Sequence, residues 1–304
     1  MLWSAKALVL CSLTALGATR ALATVEAPVQ DEAAAEEQSS LYDRLGGVYA
    51  IGSVVDAFID RLLVDDTLNA NPAIAAARDR VPKAGLKVQV TALVCQVTGG
   101  PYTYHGRSMK DAHAHLGITE AEWEAMAADF KATLDSFEVP EAEQAELFEI
   151  VGTTKGDIVV AEPTGAEADP DAIYPAEDDT SLYGRLGGVY NIASVVDAFI
   201  ERLLVNDVLN ANREIEAARH RVPKAGLKFQ VTTMMCQVTG GPYEYHGRSM
   251  KDAHPHLGIT EAEWEAMAAD FKATLDAFEV PEAEQQELFA IVGTTKGDIV
   301  TATE

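Results

Sequence analysis

Two histidines, His113 and His115, are the residues whose type and spacing could do metal chemistry. The i, i+3, i+4, i+7 spacing of one helical face is met by Met109, Ala112, His113 and Leu116. His113 is therefore the polar member of an apolar stripe, whereas His115 points about 200° away, towards the charged side of the helix or solvent. One regular helix cannot bring both side chains to the same metal ion.

A buried imidazole nitrogen needs a partner, because leaving it without one costs about 1–3 kcal/mol. Two interpretations satisfy His113: a core histidine bonded to a backbone carbonyl, or the axial ligand of a haem iron in an apolar slot. The spacing by itself leaves both open. A zinc site held by protein ligands is disfavoured, because no other cluster of His, Cys or carboxylates lies at ligand spacing nearby. The sequence also has no CxxCH motif for covalent haem attachment.

The sequence around this histidine pair occurs twice. Residues 40–159 and 181–300 match at a constant offset and are identical at 101 of 120 positions, so His254 is the counterpart of His113. Solenoid repeats are much shorter, so we expect two tandem domains. The acidic segments 24–39 and 160–180 are expected to be a disordered tail and a linker. Such a linker spans on the order of 25 Å, so the two domains could act independently or touch.

Each copy is predicted to be all-α, with about six helical segments. Helical apolar spacing, capping residues and glycine punctuation place the main helices at residues 49–64, 82–98, 109–116, 119–137 and from 140 onwards. On the second of these helices, one face is marked by Leu86, Val90, Leu93, Val94 and Val97. The buried side of the fourth is predicted to comprise Trp123, Met126, Phe130, Leu134 and Phe137.

Residues 1–23 have the pattern of a cleaved secretory signal peptide. Lys6 precedes a nearly continuous apolar run, and Ala21-Leu22-Ala23 is a small-x-small cleavage pattern. The run is shorter than the ~20 residues of a membrane-spanning helix, and an uncleaved anchor is the alternative. We therefore expect a periplasmic or secreted protein.

The net charge of −25, from 48 acidic and 23 basic residues, disfavours nucleic acid and anionic membrane surfaces as partners. Once Cys11 leaves with the signal peptide, Cys95 and Cys236 remain at equivalent places in the two copies. Both lie in apolar helical runs, so we expect small hydrophobic side chains and no disulfide between them.

At this point the sequence resembles the group I truncated haemoglobins over essentially the whole of each copy. The resemblance rests on the opening segment 40–47 (SLYDRLGG) and on Gly117-Ile118-Thr119 after the helix. Between them stands an ordered string made of Gly99-Gly100-Pro101, Tyr104, Gly106, Met109 and His113. It implies a shortened globin with a two-over-two helical sandwich in each copy, with His113 and His254 as the proximal haem ligands.

The resemblance further implies one non-covalent haem b in each domain. The side chains expected around the two haems are Phe58, Ile59, Leu86, Gln89, Val90, Met109, His113 and Ile118, and in the second copy Phe199, Ile200, Leu227, Gln230, Val231, Met250, His254 and Ile259. Any of six basic residues could pair with the haem propionates, the alternative being ordinary surface charge: Arg78, Arg80, Lys83, Lys87, Arg107 and Lys110.

The ligand-binding side departs from the family pattern. Many members have a tyrosine in the first long helix, where this chain has Ile59 and Ile200. Gln89 and Gln230 are the candidate distal hydrogen-bond donors, and the alternative is a solvent-exposed glutamine on the flank of the helix. Without the tyrosine, bound oxygen would lose about 1.5–3 kcal/mol of hydrogen bonding.

Three functions remain open. The first is reversible binding of a diatomic gas, oxygen or nitric oxide, for transport, storage, scavenging or sensing. The second is a haem enzyme, a nitric oxide dioxygenase or a peroxidase, which would need a separate reductase as redox partner because the chain has no flavin or nicotinamide fingerprint. The third is a haemless helical module for protein contacts. We rank them in that order.

Overall fold

A computed structural model describes residues 39–160, 173–176 and 178–302. The predicted signal peptide and nearly all of the acidic tail lie outside the described residues, as does most of the linker. The described part is helical, and its only β-type pairing is an isolated parallel bridge between Ile259 and Val300. No helix among these residues is both long and apolar enough to cross a membrane. The prediction of an all-α chain is confirmed.

The first repeat, residues 40–159, contains nine helical segments in the described chain. They are α1 (Leu41–Arg44), α2 (Gly47–Leu62), α3 (Asp66–Asn69), α4 (Pro72–Arg80), α5 (Lys83–Val97), α6 (Met109–His113), α7 (Glu120–Ser136), α8 (Glu141–Thr153) and α9 (Lys155–Ile158).

The second repeat, residues 181–300, follows the same order. Its helices are α10 (Leu182–Arg185), α11 (Gly188–Leu204), α12 (Asp207–Asn210), α13 (Arg213–Arg221), α14 (Lys224–Val238), α15 (Met250–Ala253), α16 (Glu261–Ala277), α17 (Glu282–Gly293) and α18 (Lys296–Ile299), with a 3₁₀ turn at Pro255–Leu257.

Local sequence explains where the helices begin. The Thr119 hydroxyl accepts a hydrogen bond from the Glu122 backbone N–H while the Glu122 carboxylate accepts one from the Thr119 backbone, the predicted capping box of α7. Helix α4 was not predicted, although Asn71 caps it and Pro72 occupies its first turn. The estimate of six segments was low because it omitted α4 and the helices of a single turn.

Each repeat is a two-over-two helical sandwich. In the first, α2 packs on both α5 and α7, and α7 packs on α8. A core where α1, α7 and α8 meet contains Leu41, Phe130, Leu134 and Leu147, all of which are buried. The prediction that Phe137 lies on the buried side of α7 is wrong, because Phe137 follows the end of the helix and is 43% exposed. Val97 at the end of α5 is exposed for the same reason.

The two repeats touch, and together they form one compact unit from Ser40 onwards. Helices α2, α5, α11 and α14 pack as a four-helix arrangement, here called the inter-repeat bundle. At its centre, Phe229 meets the Tyr102 ring edge-on at 5.0 Å between centroids. His105 contacts Tyr243 in the same way at 5.0 Å, and His246 contacts Tyr102 at 5.1 Å.

The bundle accounts for the apolar character of α5 on more than one side. Val88, Ala92 and Cys95 are its most buried apolar residues and belong to the core shared with the second repeat. The predicted stripe through Leu86 and Val90 is half-buried and lies on a different side. Cys95 and Cys236 are buried free thiols, as expected.

Candidate functional site

The two predicted ligand histidines are oriented by their own helices. The Ser108 hydroxyl caps α6 by accepting from the Asp111 backbone N–H, and His113 is the last residue of that helix. The His113 Nδ1 lies 2.8 Å from the Met109 carbonyl oxygen, one helical turn back. In the second repeat, His254 Nδ1 lies 2.9 Å from the Met250 carbonyl. Because a carbonyl only accepts, Nδ1 must carry the proton and donate it.

This hydrogen bond leaves the Nε2 of each histidine as the lone-pair nitrogen. Neither Nε2 has a hydrogen-bond partner among the described residues. Burial lowers the pKa of both His113 and His254 below the ordinary value, so that both rings are neutral near pH 7. A neutral imidazole with a fixed tautomer and a free Nε2 is the form that binds a metal.

In the second repeat, His254 lines a large apolar cavity. The cavity has a volume of about 1370 Å³, above the usual range for small ligand pockets and ample for a large flat cofactor. All eight side chains predicted for the second site line it: Phe199, Ile200, Leu227, Gln230, Val231, Met250, His254 and Ile259.

The eight predicted residues of the first repeat occupy the equivalent positions in the sequence. Ile59 and Gln89 are buried. The other six are half-buried: Phe58, Leu86, Val90, Met109, His113 and Ile118.

The alternative of a solvent-exposed glutamine is wrong. Gln89 is 6% exposed and Gln230 is 5% exposed. The Oε1 atoms of both are buried without a hydrogen-bond partner in the described chain. An unpaired polar atom inside an apolar site costs about 1–3 kcal/mol. For Gln230 the Tyr102 hydroxyl is a neighbouring group: burial raises the pKa of Tyr102, and the Gln230 side chain opposes that rise.

His115 differs from its expected placement on the charged side of the helix or in solvent. Helix α6 ends at His113, so the helical angle does not extend to residue 115, and the chain turns back through a bond from the Leu116 N–H to the His113 carbonyl. His115 is half-buried, and its Nε2 is enclosed without a partner. Burial lowers the pKa of His115, as do the nearby charges of Arg80 and Arg107.

Half of the six basic residues considered for propionates have other partners in the described chain. Lys87 pairs with Asp56 and Asp60, at 2.7 and 2.8 Å between Nζ and the carboxylate oxygens, and Lys83 pairs with Asp60. Arg78 bonds the Asn69 side chain. These residues stabilise the packing of α5 on α2 and of α4 on α3.

Arg107 and its counterpart Arg248 form no salt bridge within the described part of the chain. Arg248 lines the cavity of the second repeat. Within the described residues, no group of three or more His, Cys, Asp and Glu side chains is placed to hold a metal ion. The donor set is therefore one imidazole in an apolar slot with a cation at its edge. That set fits haem, whose macrocycle brings its own metal ligands.

Several lining residues were not predicted from the sequence. Met234 and Met235 are the counterparts of Leu93 and Val94, which share a helical face with the predicted site residues Leu86 and Val90. Trp264 also lines the cavity, although the spacing of its helix indicates only a buried side and does not distinguish core from cavity. Tyr49 also lines the cavity, although it belongs to the first repeat. No local pattern could reveal that contact, because it depends on how the repeats pack.

Comparison with known proteins agrees with this geometry. The bacterial-like globin family matches the chain twice, at residues 40–160 and 181–301. The chain belongs to this family of haem-binding globins. Within it, the tandem group I truncated haemoglobin fold predicted from the sequence is confirmed.

Each relative aligns with one repeat of this globin. The group 1 truncated hemoglobin GlbN of Synechocystis sp. is 34% identical over 38% of this chain and 90% of its own length. GlbN of Mycolicibacterium paratuberculosis is 29% identical over 41% of this chain and 88% of its own. The solved Fe(III) truncated hemoglobin of Tetrahymena pyriformis is 23% identical, covering 40% of this chain and 98% of that one, with a TM-score of 0.33.

Proposed function

We propose that each repeat binds one non-covalent haem b, through His113 in the first and His254 in the second, and that the protein reversibly binds a diatomic gas, oxygen or nitric oxide. The observation that carries this proposal is the cavity of the second repeat. It brings together the eight predicted side chains around a histidine whose Nε2 has no partner in the described chain.

The chain's own residues would hold the histidine ring in place and keep water out of the site. The Met250 carbonyl fixes the ring of His254 and its tautomer by accepting the Nδ1 proton. Ile200, Leu227 and Val231 line the cavity with apolar side chains and would exclude water from it. The bound haem would supply the iron position at which the gas binds.

Gln230 is the residue we assign to ligand discrimination. Its buried amide is a neutral donor, worth about 0.5–1.5 kcal/mol, which is weaker than the charge-assisted bond attributed to the family tyrosine. We therefore expect fast release of oxygen, and less effect on nitric oxide or carbon monoxide, which depend less on such a donor.

Haem entry into the second repeat can be followed separately from entry into the first. After removal of residues 1–23, Trp123 and Trp264 are the only tryptophans, one in each repeat, and Trp264 lines the cavity. In a Trp123→Phe chain, haem titration should quench Trp264, and adding His254→Ala should weaken the binding that produces this quenching. Equal haem affinity with and without the His254 side chain would refute the ligand assignment.

Gas binding is tested on the reduced, haem-loaded chain. Oxygen and carbon monoxide should each shift the Soret band reversibly, and Gln230→Leu should speed oxygen release while leaving carbon monoxide release unchanged. Nitric oxide consumed over many turnovers with a reductant and a reductase present would instead establish the enzyme alternative.

We also propose that the mature chain is periplasmic or secreted. The support is the pattern of residues 1–23, which lie outside the described structure. N-terminal sequencing of the chain recovered outside the cytoplasm should begin at Thr24, and a cytoplasmic chain that begins at Met1 would contradict this proposal.

A further inference from the structure

Tyr49 and Tyr190 are here called the cross-repeat tyrosines. Tyr49 packs on helix α14 of the second repeat, and Tyr190 packs on helix α5 of the first. A Cβ placed on Gly226 of α14 would lie 2.5 Å from Cδ1 of Tyr49. A Cβ placed on Gly85 of α5 would lie 2.3 Å from Cδ1 of Tyr190. Both glycines are buried in helices and neither has a positive φ, so glycine is required there for the close approach of a ring.

The ring of Tyr49 reaches the cofactor cavity of the second repeat. Among the described lining residues of that cavity, Tyr49 alone comes from the first repeat. The polar residues Lys224, Tyr245 and Arg248 line the same cavity. Burial raises the pKa of Tyr245, and the nearby Tyr49 phenol adds to that rise, which places the two phenols close together.

The same arrangement occurs in the first repeat, where the tyrosine contributed by the other repeat is Tyr190. Burial raises the pKa of Tyr190 to about 12; the neighbouring Tyr104 phenol adds to that rise and the Arg107 guanidinium opposes it. Tyr104 and Arg107 are the counterparts of Tyr245 and Arg248, and in both repeats the tyrosine hydroxyl donates to the arginine carbonyl at 2.8 Å. Each cross-repeat tyrosine therefore lies close to the corresponding tyrosine of the opposite repeat, Tyr49 to Tyr245 and Tyr190 to Tyr104.

The polar residues that line the cavity, Arg248 among them, have the chemistry that the edge of a haem requires. A haem is apolar across its macrocycle and anionic at its propionates. A stable site therefore covers the macrocycle with apolar side chains and binds the propionates with cations and hydrogen-bond donors. Lys224 already pairs with Glu201, whereas Arg248 forms no salt bridge within the described residues. A tyrosine beside this arginine supplies both an apolar ring and a hydroxyl donor.

We propose that the cross-repeat tyrosines complete each other's haem sites: Tyr49 forms part of the wall of the second repeat's site, and Tyr190 forms part of the wall of the first. Neither site is complete within its own repeat, and the fusion of two copies in one chain serves haem retention. This inference rests on the proposed function, because it concerns how long the haem stays bound.

The test uses full-length mature chains that retain only one ligand histidine. In the His113→Ala chain, haem remains in the second repeat, and in the His254→Ala chain it remains in the first. Haem loss is measured by transfer to excess apomyoglobin, followed at the Soret band. In the His113→Ala chain, Tyr49→Ala should speed haem loss roughly 5- to 30-fold and Tyr190→Ala should leave it unchanged. In the His254→Ala chain, the two tyrosine variants should exchange their effects.

This crossed pattern distinguishes a shared wall from general loosening of the inter-repeat bundle, since loosening would affect both sites in both variants. Equal effects of both tyrosine variants on one site, or no effect of either, would overturn the inference while leaving haem binding intact. A starting chain without a Soret band would instead overturn the proposed function. Urea unfolding of each variant, followed by tryptophan fluorescence, confirms that the haem measurements are made on folded protein.

Discussion

The inter-repeat bundle predicts that the two repeats unfold together, and Phe229→Ala is the perturbation that tests this most sharply. Phe229 is 2% exposed and contacts Tyr102 of the first repeat edge-on. Truncating a buried Phe to Ala costs about 3–5 kcal/mol, part of which is the loss of the aromatic pair. The counterpart in the first repeat is Val88, also buried, where the Val→Ala change should cost about 2 kcal/mol.

The assay is urea unfolding of haem-free mature chains that carry a single tryptophan. Trp123→Phe leaves Trp264 to report on the second repeat, and Trp264→Phe leaves Trp123 to report on the first. With a slope of about 3 kcal/mol per molar urea, Phe229→Ala should lower the midpoint by about 1–1.7 M. Both reporters should show that shift, because the side chain belongs to a core that both repeats share.

A midpoint that falls for Trp264 alone would refute this reasoning, since it would mean that the first repeat keeps its stability without the bundle. Val88→Ala is the matched control. It should move both reporters in the same way by about half as much or slightly more.

Three further changes have defined outcomes. The Lys224 and Lys228 ammonium groups hold the pKa of Glu201 below its ordinary 4.5. This carboxylate therefore stabilises the fold above pH 4.5, and the stabilisation is lost as the pH falls through the lowered pKa. Glu201→Gln should remove about 0.2–1 kcal/mol of unfolding free energy at pH 7 and reduce the loss of stability towards acid pH. Ile200→Tyr should slow oxygen release from the second repeat by roughly 10- to 150-fold in flash photolysis, and an unchanged rate would show that residue 200 does not face the gas. Burial raises the pKa of Cys95 to about 12, so a thiol reagent should label it only after unfolding, and rapid labelling of the folded chain would contradict its burial.

Much of the architecture could be predicted because it is encoded locally. The long helices follow apolar spacing that repeats every three to four residues, and Thr119 with Glu122 marks a helix start by a bond pattern between near neighbours. The face of His113 follows from four residues on one short helix. These signals need no knowledge of the partner elements.

The errors arise where an element meets something that is distant in sequence. Helix α5 packs against the second repeat through Val88, Ala92 and Cys95, a side of the helix that the predicted stripe through Leu86 and Val90 does not include. Gln89 was left open between flank and interior for the same reason. Tyr49 and Gly226 carry no local signal at all, because their contact exists only after the two repeats have docked.

The central claim is that each repeat holds one haem through its own histidine, and the haem-to-chain ratio measured with the Soret absorption tests it most directly. We predict two haems per mature chain, one in His113→Ala, one in His254→Ala, and no tightly held haem in the double variant. No Soret band in the unmodified chain, or two haems retained when both histidines are replaced, would contradict the claim.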